Sequence, residues 1–424
     1  MNDIGWELLN KKDKENIING IIEGKAFSGP LHIEIHPTDR CTTSCFFCST
    51  RWRRKKDELS LNTISSISKE MKEMGVRSFL LSGGGEPLAH IEKEKILEEL
   101  GKSKAHMFGV TTNGVGLNKN VREILIGLKC QQVIVSINCS NERTYSEMMQ
   151  VGPKVFHYVL ENVKKLIEER KNNLPKVIFQ FLVYKKNYNS IVEMYNLAKE
   201  VGVDRIIFNG LSFLKEELKM KKEETEEMIS YFKQILKVDE YRKILGIYSF
   251  EQDIGEYILK IEREIGNERS KRNILKKILE FILKNKEYSL KEKLKHRKEM
   301  KVRKKEKYYL DKILDPCIRP WYCLTIRSDG AVPVCCVRQH ILMGNIYENS
   351  IKEIWEGEKF IEYRKQMREV ILLGKRYKEK KDLISNACIL SSKGFSSCPF
   401  RSFYYRRDFP FMEKLENIIG KFES

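Results

Sequence analysis

Between residues 31 and 212, short β-branched runs alternate with longer amphipathic runs, and this alternation constrains the fold most. Helical periodicity fills the gaps between the short runs, as in LNTISSISKEMKEMG from residue 61 and FHYVLENVKKLIEER from residue 156. Six strand–helix units predict an α/β fold with a parallel sheet that curls into a partial (β/α)6 barrel. The predicted strands are LHIEIH from residue 31, SFLLS from 78, MFGVTT from 107, QVIVSI from 132, KVIFQFLV from 176 and RIIFN from 205.

The remaining segments predict additions to this barrel. Residues 1–30 predict a helical lead-in, and residues 213–312 predict a basic helical insertion that is almost free of Gly and Pro. From residue 313 to 402 the chain is rich in cysteine, and Asp329-Gly330 predicts a turn between two short strands. Residues 403–424 predict a C-terminal tail helix. Loops at the carboxyl ends of parallel strands usually carry the reactive groups, which places the functional site there.

Composition predicts a soluble globular protein, because 41% of the residues are hydrophobic and 32% are charged. No apolar run approaches the roughly 18 residues that a membrane span needs, and the N-terminus lacks the pattern of a secretory signal. We therefore expect a cytoplasmic protein with no membrane partner. In that compartment the 11 cysteines are expected to be metal ligands or reactive thiols rather than disulfides.

The formal net charge of +19 reflects 78 Lys and Arg residues against 59 Asp and Glu residues. Much of the excess lies between Lys284 and Lys307, a run that could attract nucleic acid or an acidic substrate. No aromatic residues at stacking intervals accompany it, and no nucleic-acid module signature is present. We interpret the run as a solvated helix and expect no nucleic-acid partner.

The first predicted strand is followed at once by three cysteines in one short loop, Cys41, Cys45 and Cys48. A structural zinc site usually takes four protein ligands, and His36 is the nearby candidate for a fourth. An iron–sulfur cluster usually takes four cysteines as well. Three cysteines alone would leave one iron open, so the missing ligand could itself serve the function. From the residues alone, zinc and iron–sulfur both remain open.

The spacing Cys41-x3-Cys45-x2-Cys48, with an aromatic Phe47 before the last cysteine, resembles the cluster motif of radical S-adenosylmethionine (SAM) enzymes. The resemblance implies a [4Fe-4S] cluster whose open iron is chelated by SAM. An electron from that cluster cleaves SAM to a 5'-deoxyadenosyl radical, which abstracts hydrogen from an unactivated carbon. A flavodoxin- or ferredoxin-type electron donor is then the expected redox partner.

A second motif, SGGGEP, follows the second predicted strand, and Gly84, Gly85, Glu86 and Pro87 resemble the GGEP element that holds the SAM ammonium in this family. Glycines allow a close approach of the main chain, and a carboxylate suits a cation. A tight turn before a helix is the alternative for a glycine triplet alone. Three further cofactor-binding candidates end later strands, where the alternative is a capping or otherwise satisfied polar residue: Asn113, Ser136 and Gln180.

The chain after Cys317 resembles the SPASM/twitch type of auxiliary domain that follows many radical SAM barrels. The matching features are the IRSDGAVPVCC hairpin, the GNI sequence after it and the SIKEIWEG helix. The resemblance implies one closed auxiliary [4Fe-4S] cluster; a zinc site made by the same residues is the alternative. Cys323 and Cys336 are left over, and a second auxiliary cluster stays open as an alternative if the clusters have an open or non-cysteine site. The choice between Cys335 and Cys336 as ligand stays open as well. The implied ligands are Cys317, Cys335, Cys388 and Cys398.

The resemblance implies a chemistry more closely than a substrate. Enzymes of this architecture oxidise, cross-link or epimerise peptides and proteins, and others act on sugars, aminocyclitols or other small metabolites. The 30 residues before the first predicted strand are too few for the winged-helix module with which peptide maturases often grip a leader. A peptide or protein substrate is our main expectation, with a small metabolite as the alternative. A non-catalytic zinc-binding interaction protein is the alternative of another class.

Cys139, in VIVSINCS, follows the fourth predicted strand on the side of the barrel where the cluster is expected. One interpretation is a buried cysteine that packs as a small apolar residue. The other makes Cys139 a catalytic thiol, which delivers a hydrogen atom to a substrate radical as redox-neutral epimerisation requires.

Overall fold

The computed structural model describes residues 9–48, 50–51, 54–210, 220–237, 245–248, 317–336 and 339–373. Its main element is a sheet in which every neighbouring pair of strands is parallel. The strands are β1 (His32–Ile35), β2 (Ser78–Leu81), β3 (Met107–Thr112), β4 (Gln132–Ser136), β5 (Lys176–Val183), β6 (Arg205–Gly210), β7 (Leu245–Tyr248) and β8 (Cys323–Ile326). Their spatial order is β7-β6-β5-β4-β3-β2-β1-β8.

Helices connect the strands and cover one face of the sheet, as the predicted crossovers require. Five of the described helices begin at a polar residue whose side chain accepts a hydrogen bond from the first turn, as Ser60 does from the Thr63 N–H. In the described ranges, none of the helices is both long and apolar enough to cross a membrane. The helices are α1 (Lys11–Glu23), α2 (Leu61–Glu73), α3 (Lys93–Gly101), α4 (Lys119–Gly127), α5 (Glu142–Met149), α6 (Lys154–Glu169), α7 (Ile191–Val201), α8 (Lys222–Lys237), α9 (Ile351–Glu356) and α10 (Glu358–Leu373).

The prediction of an α/β fold built on a partial barrel is confirmed, and all six predicted strands are present. Two strands extend the sheet beyond that prediction. β7 lies inside the segment predicted to be helical and pairs with β6, so the prediction was wrong for those four residues. β8 lies in the predicted auxiliary segment but pairs with β1, which joins that segment to the barrel through the sheet itself.

The two faces of the sheet have different roles. The face under the helices is apolar; the stacked rings of Phe79 and Phe108, for example, have centroids 5.0 Å apart. On the other face, Ile134, Ile178 and Ile207 form a small apolar cluster of their own. Because side chains alternate along a strand, the residues two places further along β4 and β5 lie on this inner face as well. These residues line the interior of the partial barrel.

The predicted turn at Asp329-Gly330 is present between β8 and the short strand β9 (Ala331–Pro333). Gly330 has φ 77°, and a β-carbon there would lie 2.5 Å from the ring of Tyr347, so only glycine fits. β9 pairs antiparallel with β10 (Leu342–Asn345). The Ser328 hydroxyl next to the turn donates to Asp39 Oδ1 at 2.7 Å, which ties the turn to the loop after β1.

Candidate functional site

Three thiols come together in the loop that follows β1. The Thr43 hydroxyl lies 3.4 Å from Cys41 Sγ and 3.3 Å from Cys45 Sγ, so these two sulfurs flank one side chain. The backbone N–H of Cys48 donates to the Cys45 carbonyl at 3.2 Å, which curls the loop so that the third cysteine follows closely. The loop therefore gathers all three predicted ligands at the carboxyl end of the first strand.

The end of α5 holds this thiol loop in position. The backbone N–H groups of Ser44 and Phe46 donate to the carbonyls of Met149 and Met148, at 3.0 and 3.4 Å. The Cys45 thiol also donates to Met149 Sδ at 3.5 Å. The last carbonyls of an α-helix have no partner within the helix, so they are available for such contacts. The position of the thiols thus depends on a helix that follows β4.

The donor set fits an iron–sulfur cluster with three protein ligands. Burial raises the pKa of the Cys45 thiol to about 11; Thr43 lowers it, whereas Cys41 and Cys48 raise it further. Iron is bound by thiolates, not by thiols. The positive charge of the bound iron offsets the repulsion among three thiolates that lie close together. Within the described ranges, no three His, Cys, Asp or Glu side chains converge on the position of a single metal ion.

The glycine-rich loop after β2 packs directly against the thiol loop. A β-carbon on Gly85 would lie 2.1 Å from the Arg40 carbonyl oxygen, and one on Gly84 would lie 2.7 Å from Asp39 Oδ1. The backbone N–H of Glu86 donates to the same Arg40 carbonyl at 2.7 Å. Glycine is required at position 85 because the backbone of Asp39 and Arg40 occupies the space that a β-carbon would need, and backbone cannot move aside.

Glu86 is buried, and its carboxylate organises the centre of the site. Thr112 Oγ1 and the Leu88 N–H donate to Oε1 at 2.6 and 3.1 Å, and the Asn113 N–H donates to Oε2 at 2.6 Å. Burial raises the pKa of Glu86 to about 6, although these bonds lower it. A carboxylate offers about four acceptor positions, so one on Oε2 stays open with respect to the described residues. Pro87 begins a short 3₁₀ turn, Pro87–Ala89, directly after it.

Asn113 connects the glycine-rich loop to the thiol loop. Its side-chain Nδ2 donates to Thr42 Oγ1 at 2.9 Å and lies 3.9 Å from Cys41 Sγ. Because its backbone N–H binds Glu86, one residue at the end of β3 contacts both predicted motifs. The thiols, the glutamate and this asparagine, predicted separately from three stretches of sequence, therefore lie in one place.

Ser136 and Gln180 lie next to one another on the inner face of the barrel, as direct partners in the pairing of β4 with β5. Both residues are half-buried, and they lie two positions beyond Ile134 and Ile178. Phe47 is placed differently, in the thiol loop. There its ring packs edge-on against Phe46 at a centroid distance of 5.5 Å.

The predicted auxiliary ligands are only partly within the described residues. Cys317 and Cys335 are half-buried and both pack against the main core, whereas Cys388 and Cys398 lie outside the described ranges. Burial raises the pKa of the Cys336 thiol, which lies against the Glu34 carboxylate. Cys336 therefore faces the barrel, and this leaves Cys335 as the better candidate ligand of the pair. The basic run from Lys284 to Lys307 also lies outside the described ranges.

A buried charged cluster on the inner face was missed by the sequence analysis. Glu34 Oε1 accepts a hydrogen bond from Ser82 Oγ at 2.6 Å and lies 3.4 Å from His36 Nε2, while Arg319 Nη2 lies 3.5 Å from Oε2. His36, Arg319 and Ser82 hold the pKa of Glu34 well below its usual range despite burial, which raises it. Arg319 also donates to Cys323 Sγ at 2.7 Å. The alternation in LHIEIH was the available signal, because it marks one polar face of β1.

Cys139 is fully buried in the main core. Its thiol donates to Met148 Sδ at 3.0 Å, and burial raises its pKa well above the usual range. These surroundings support the interpretation of a packing residue more than that of an accessible hydrogen-atom donor.

Three side chains of the site came from no predicted motif: Thr43, Thr50 and Arg54. Thr50 Oγ1 donates to the Gly84 carbonyl at 2.7 Å and lies 3.2 Å from Cys48 Sγ. Arg54 donates to the same carbonyl and to the same sulfur. Arg54 stands in the basic stretch RWRRKK, in which the sequence gives no signal that separates it from its neighbours.

Comparison with protein families finds two matches in the chain. The model of the radical SAM superfamily matches residues 35–198, which include the thiol loop, the glycine-rich loop and strands β2 to β5. The model of the SPASM domain, an iron–sulfur cluster-binding domain, matches residues 317–381.

Curated relatives match part of the chain. A probable GTP 3',8-cyclase of Sulfurisphaera tokodaii is 31% identical over 171 residues, which are 40% of this chain and 52% of the relative. A tungsten-containing aldehyde ferredoxin oxidoreductase cofactor-modifying protein of Pyrococcus furiosus is 24% identical over 186 residues, or 43% of this chain and 51% of the relative. The chain thus spans about half the length of these two relatives.

Solved structures share the fold over more of the chain. Streptococcus suis SuiB bound to the precursor peptide SuiA has a TM-score of 0.55 at 18% identity, covering 84% of this chain and 72% of that protein. The structure of anSMEcpe with bound AdoMet has a TM-score of 0.54 at 17% identity, covering 92% of this chain and 100% of that one.

Proposed function

We propose that this chain, a radical SAM family enzyme with a C-terminal SPASM-type iron–sulfur domain, abstracts hydrogen from a peptide or protein substrate. The first domain implies SAM with a [4Fe-4S] cluster, and the second implies an auxiliary iron–sulfur cluster. The observation that carries the proposal is the meeting of three thiols, Glu86 and Asn113 at the carboxyl ends of β1, β2 and β3. The resulting reaction is an oxidation, a cross-link or an epimerisation.

Different residues of the chain would bind the cluster and SAM. Cys41, Cys45 and Cys48 would hold the cluster, which when bound supplies the electron that cleaves SAM to a 5'-deoxyadenosyl radical. Glu86 would bind the SAM ammonium through the acceptor position open on Oε2, because an ionised carboxylate makes strong hydrogen bonds to a cation. The close approach at Gly85 fixes the main chain beside it.

Further along the inner face, Ser136 and Gln180 would bind the ribose hydroxyls or the methionyl carboxylate of SAM. Their side by side placement on β4 and β5 supports a joint role. The apolar cluster of Ile134, Ile178 and Ile207 lies deeper on the same face and would exclude water from the space below. Asn113 would keep the thiol loop and Glu86 in register, since it contacts both.

A peptide substrate is supported by the fold that this chain shares with proteins solved in complex with peptides. One is SuiB with its precursor peptide, and another is anSMEcpe with AdoMet and a peptide, at a TM-score of 0.53. A small-metabolite substrate is the second candidate, because several curated relatives that match part of this chain are named GTP 3',8-cyclases. A flavodoxin- or ferredoxin-type protein would supply the electron.

The test begins with anaerobically reconstituted full-length protein, SAM and a reductant, with 5'-deoxyadenosine as the readout. Peptide and small-metabolite fractions from deuterium-labelled cells of the source organism are then added separately. We expect deuterium to enter 5'-deoxyadenosine with the peptide fraction, because the radical removes hydrogen from its substrate. Deuterium entering only with the small-metabolite fraction would contradict the peptide assignment. No 5'-deoxyadenosine from iron-replete protein would contradict the enzymatic function itself.

A further inference from the structure

Arg54 joins the thiol loop to the glycine-rich loop. Its guanidinium donates to Cys48 Sγ from Nη2 at 3.1 Å, to the Gly84 carbonyl from Nε at 2.9 Å and to the Thr43 carbonyl from Nη1 at 3.3 Å. A planar guanidinium presents its N–H groups in a fixed fork, so these three contacts are made in one orientation of the side chain.

The contact with Cys48 differs in kind from the contacts of the other two thiols. Cys41 and Cys45 both meet the single neutral hydroxyl of Thr43. In the part of the chain that the structure describes, Arg54 is the only cation within hydrogen-bond distance of one of these three sulfurs. Arginine stays charged and can only donate, so Cys48 Sγ is the acceptor in this contact.

The neighbouring hydroxyl cannot replace this donor. Thr50 Oγ1 lies 3.2 Å from Cys48 Sγ, but its hydrogen is directed to the Gly84 carbonyl at 2.7 Å. A hydroxyl has one hydrogen to donate, so the Cys48 thiolate would rely on the Arg54 guanidinium.

We propose that Arg54 is a positioning residue that sets the reduction potential of the SAM-site cluster through Cys48 and fixes the Gly84 carbonyl. This inference rests on the proposed function. A reduced cluster carries one more negative charge than an oxidised cluster, so a cation bonded to a ligand sulfur stabilises the reduced form more. Arg54 therefore makes the cluster easier to reduce, which the cleavage of SAM requires.

The test compares full-length reconstituted proteins by redox titration followed with electron paramagnetic resonance. The protein is expected to hold a SAM-site cluster and an auxiliary cluster. The resonance signal that changes when SAM is added belongs to the SAM-site cluster. Arg54→Gln removes the charge, and Arg54→Lys replaces the fork with a point charge. Arg51→Gln is the matched control, because Arg51 binds Ser44 O and Gln150 Oε1 and, among the described residues, no thiol.

At a fixed potential, we expect Arg54→Gln to change the ratio of oxidised to reduced cluster about tenfold, toward the oxidised form. For a one-electron couple this is a drop of about 59 mV in the reduction potential. Arg54→Lys should show a smaller drop in the same direction, and Arg51→Gln should titrate as the wild type does. If Arg54→Gln does not retain its iron, the reduction potential of the SAM-site cluster in Arg54→Lys provides the test.

Two results would overturn the inference. One is an Arg54 variant with the wild-type iron content whose potential equals that of Arg51→Gln. The other is a loss of SAM affinity alone, which would assign Arg54 to the cofactor instead of to the sulfur. A wild-type protein that binds no iron–sulfur cluster would instead contradict the proposed function, so the two failures are distinguishable.

Discussion

The backbone N–H of Asn113 donates a 2.6 Å hydrogen bond to Oε2 of the buried Glu86 carboxylate, so the ends of β2 and β3 share one acidic group. Burial raises the pKa of Glu86 to about 6 because the low-dielectric surroundings disfavour its charged form. Binding of the SAM ammonium would restore a favourable environment for that charge. The affinity for SAM should therefore depend on pH.

We predict that SAM binds more weakly as the pH falls through 6, the approximate pKa of Glu86. Only the ionised carboxylate attracts the ammonium, so the affinity should fall about tenfold per pH unit below that value. The measurement is the SAM dissociation constant of reconstituted protein between pH 5 and about 8.

The control for the pH dependence is Glu86→Gln, which keeps the shape of the side chain. This variant should bind SAM weakly at every pH in the range while it retains the wild-type iron content. A dissociation constant that is unchanged in Glu86→Gln would remove Glu86 from the cofactor site.

The raised pKa of Glu86 also has a consequence for folding. Its folded-state pKa lies above its ordinary value, so the folded protein binds the proton more tightly than the unfolded chain does. The stability of the SAM-free protein should therefore decrease as the pH rises through this interval, by about 2 kcal/mol from Glu86 alone. Denaturant unfolding of wild type and Glu86→Gln at pH 4.5 and 7.5 measures this change in the free energy of unfolding.

Gly85→Ala should disrupt the site, whereas Gly83→Ala should be tolerated. A β-carbon on Gly85 would lie 2.1 Å from the Arg40 carbonyl oxygen, but one on Gly83 meets nothing closer than 3.5 Å. We expect Gly85→Ala to weaken SAM binding at least tenfold because the loop must shift by a large fraction of an ångström. Equal SAM dissociation constants for the two alanine variants would show that the close approach is not needed.

The barrel could be predicted from local patterns, whereas its edges could not. The strands β1 to β6 each coincide with a short apolar run in the sequence, and each lies beside the next one along the chain. β8 pairs with β1 across nearly three hundred residues, and no local pattern specifies such a partner. β7, with the sequence LGIY, is a short apolar run within a charged helical segment, and its pairing with β6 decides its conformation.

The candidate site also contains some residues that could be predicted from the sequence and others that could not. Cys41, Glu86 and Asn113 could be predicted because each belongs to a recognisable motif at the end of a strand. Arg54 could not, since its role follows from where three separate acceptors meet in space. Glu34 lies on a strand whose alternation normally indicates one face in water. Here the polar face points into the barrel instead, and β1 is buried on both sides.

Glu34→Gln should destabilise the protein strongly. Glu34 and Arg319 are buried together, and removal of one charge of a buried pair costs roughly 3–5 kcal/mol, because the other stays buried without it. The control is Lys69→Ala, which removes an exposed ion pair with Glu73 and should cost less than about 0.5 kcal/mol. Denaturant unfolding at neutral pH measures both, and equal effects would contradict the importance of the buried pair.

The low pKa of Glu34 also determines how the stability difference between wild type and Glu34→Gln depends on pH. The pKa of Glu34 in the folded protein lies below its ordinary value of 4.5, so its charge adds stability above that value. This contribution should be lost as the pH falls further, because both states then bind the proton. The unfolding free energies of wild type and Glu34→Gln should therefore converge in acid.

Cys139→Ala should preserve turnover and cost about 1–3 kcal/mol of stability. The thiol is buried and bonded to Met148, so its loss leaves a small cavity in the core. The measurements are denaturant unfolding and product yield with the identified substrate. A variant that forms 5'-deoxyadenosine but no product would restore the hydrogen-atom-donor hypothesis. In that case the wild-type enzyme in heavy water should place one deuterium at the inverted carbon.

The central claim is that Cys41, Cys45 and Cys48 hold a cluster that cleaves SAM. The most direct test measures iron, zinc and 5'-deoxyadenosine in the wild type, in the three single alanine variants and in Cys130→Ala. Cys130 is the control because it is buried beside Phe108 and Gln132, away from the thiol loop. We predict about eight irons per wild-type chain, from two [4Fe-4S] clusters. Each of the three variants should lose about four irons and all 5'-deoxyadenosine formation, with Cys130→Ala like the wild type. Stoichiometric zinc in the wild type, or 5'-deoxyadenosine formed by any of the three variants, would contradict the account.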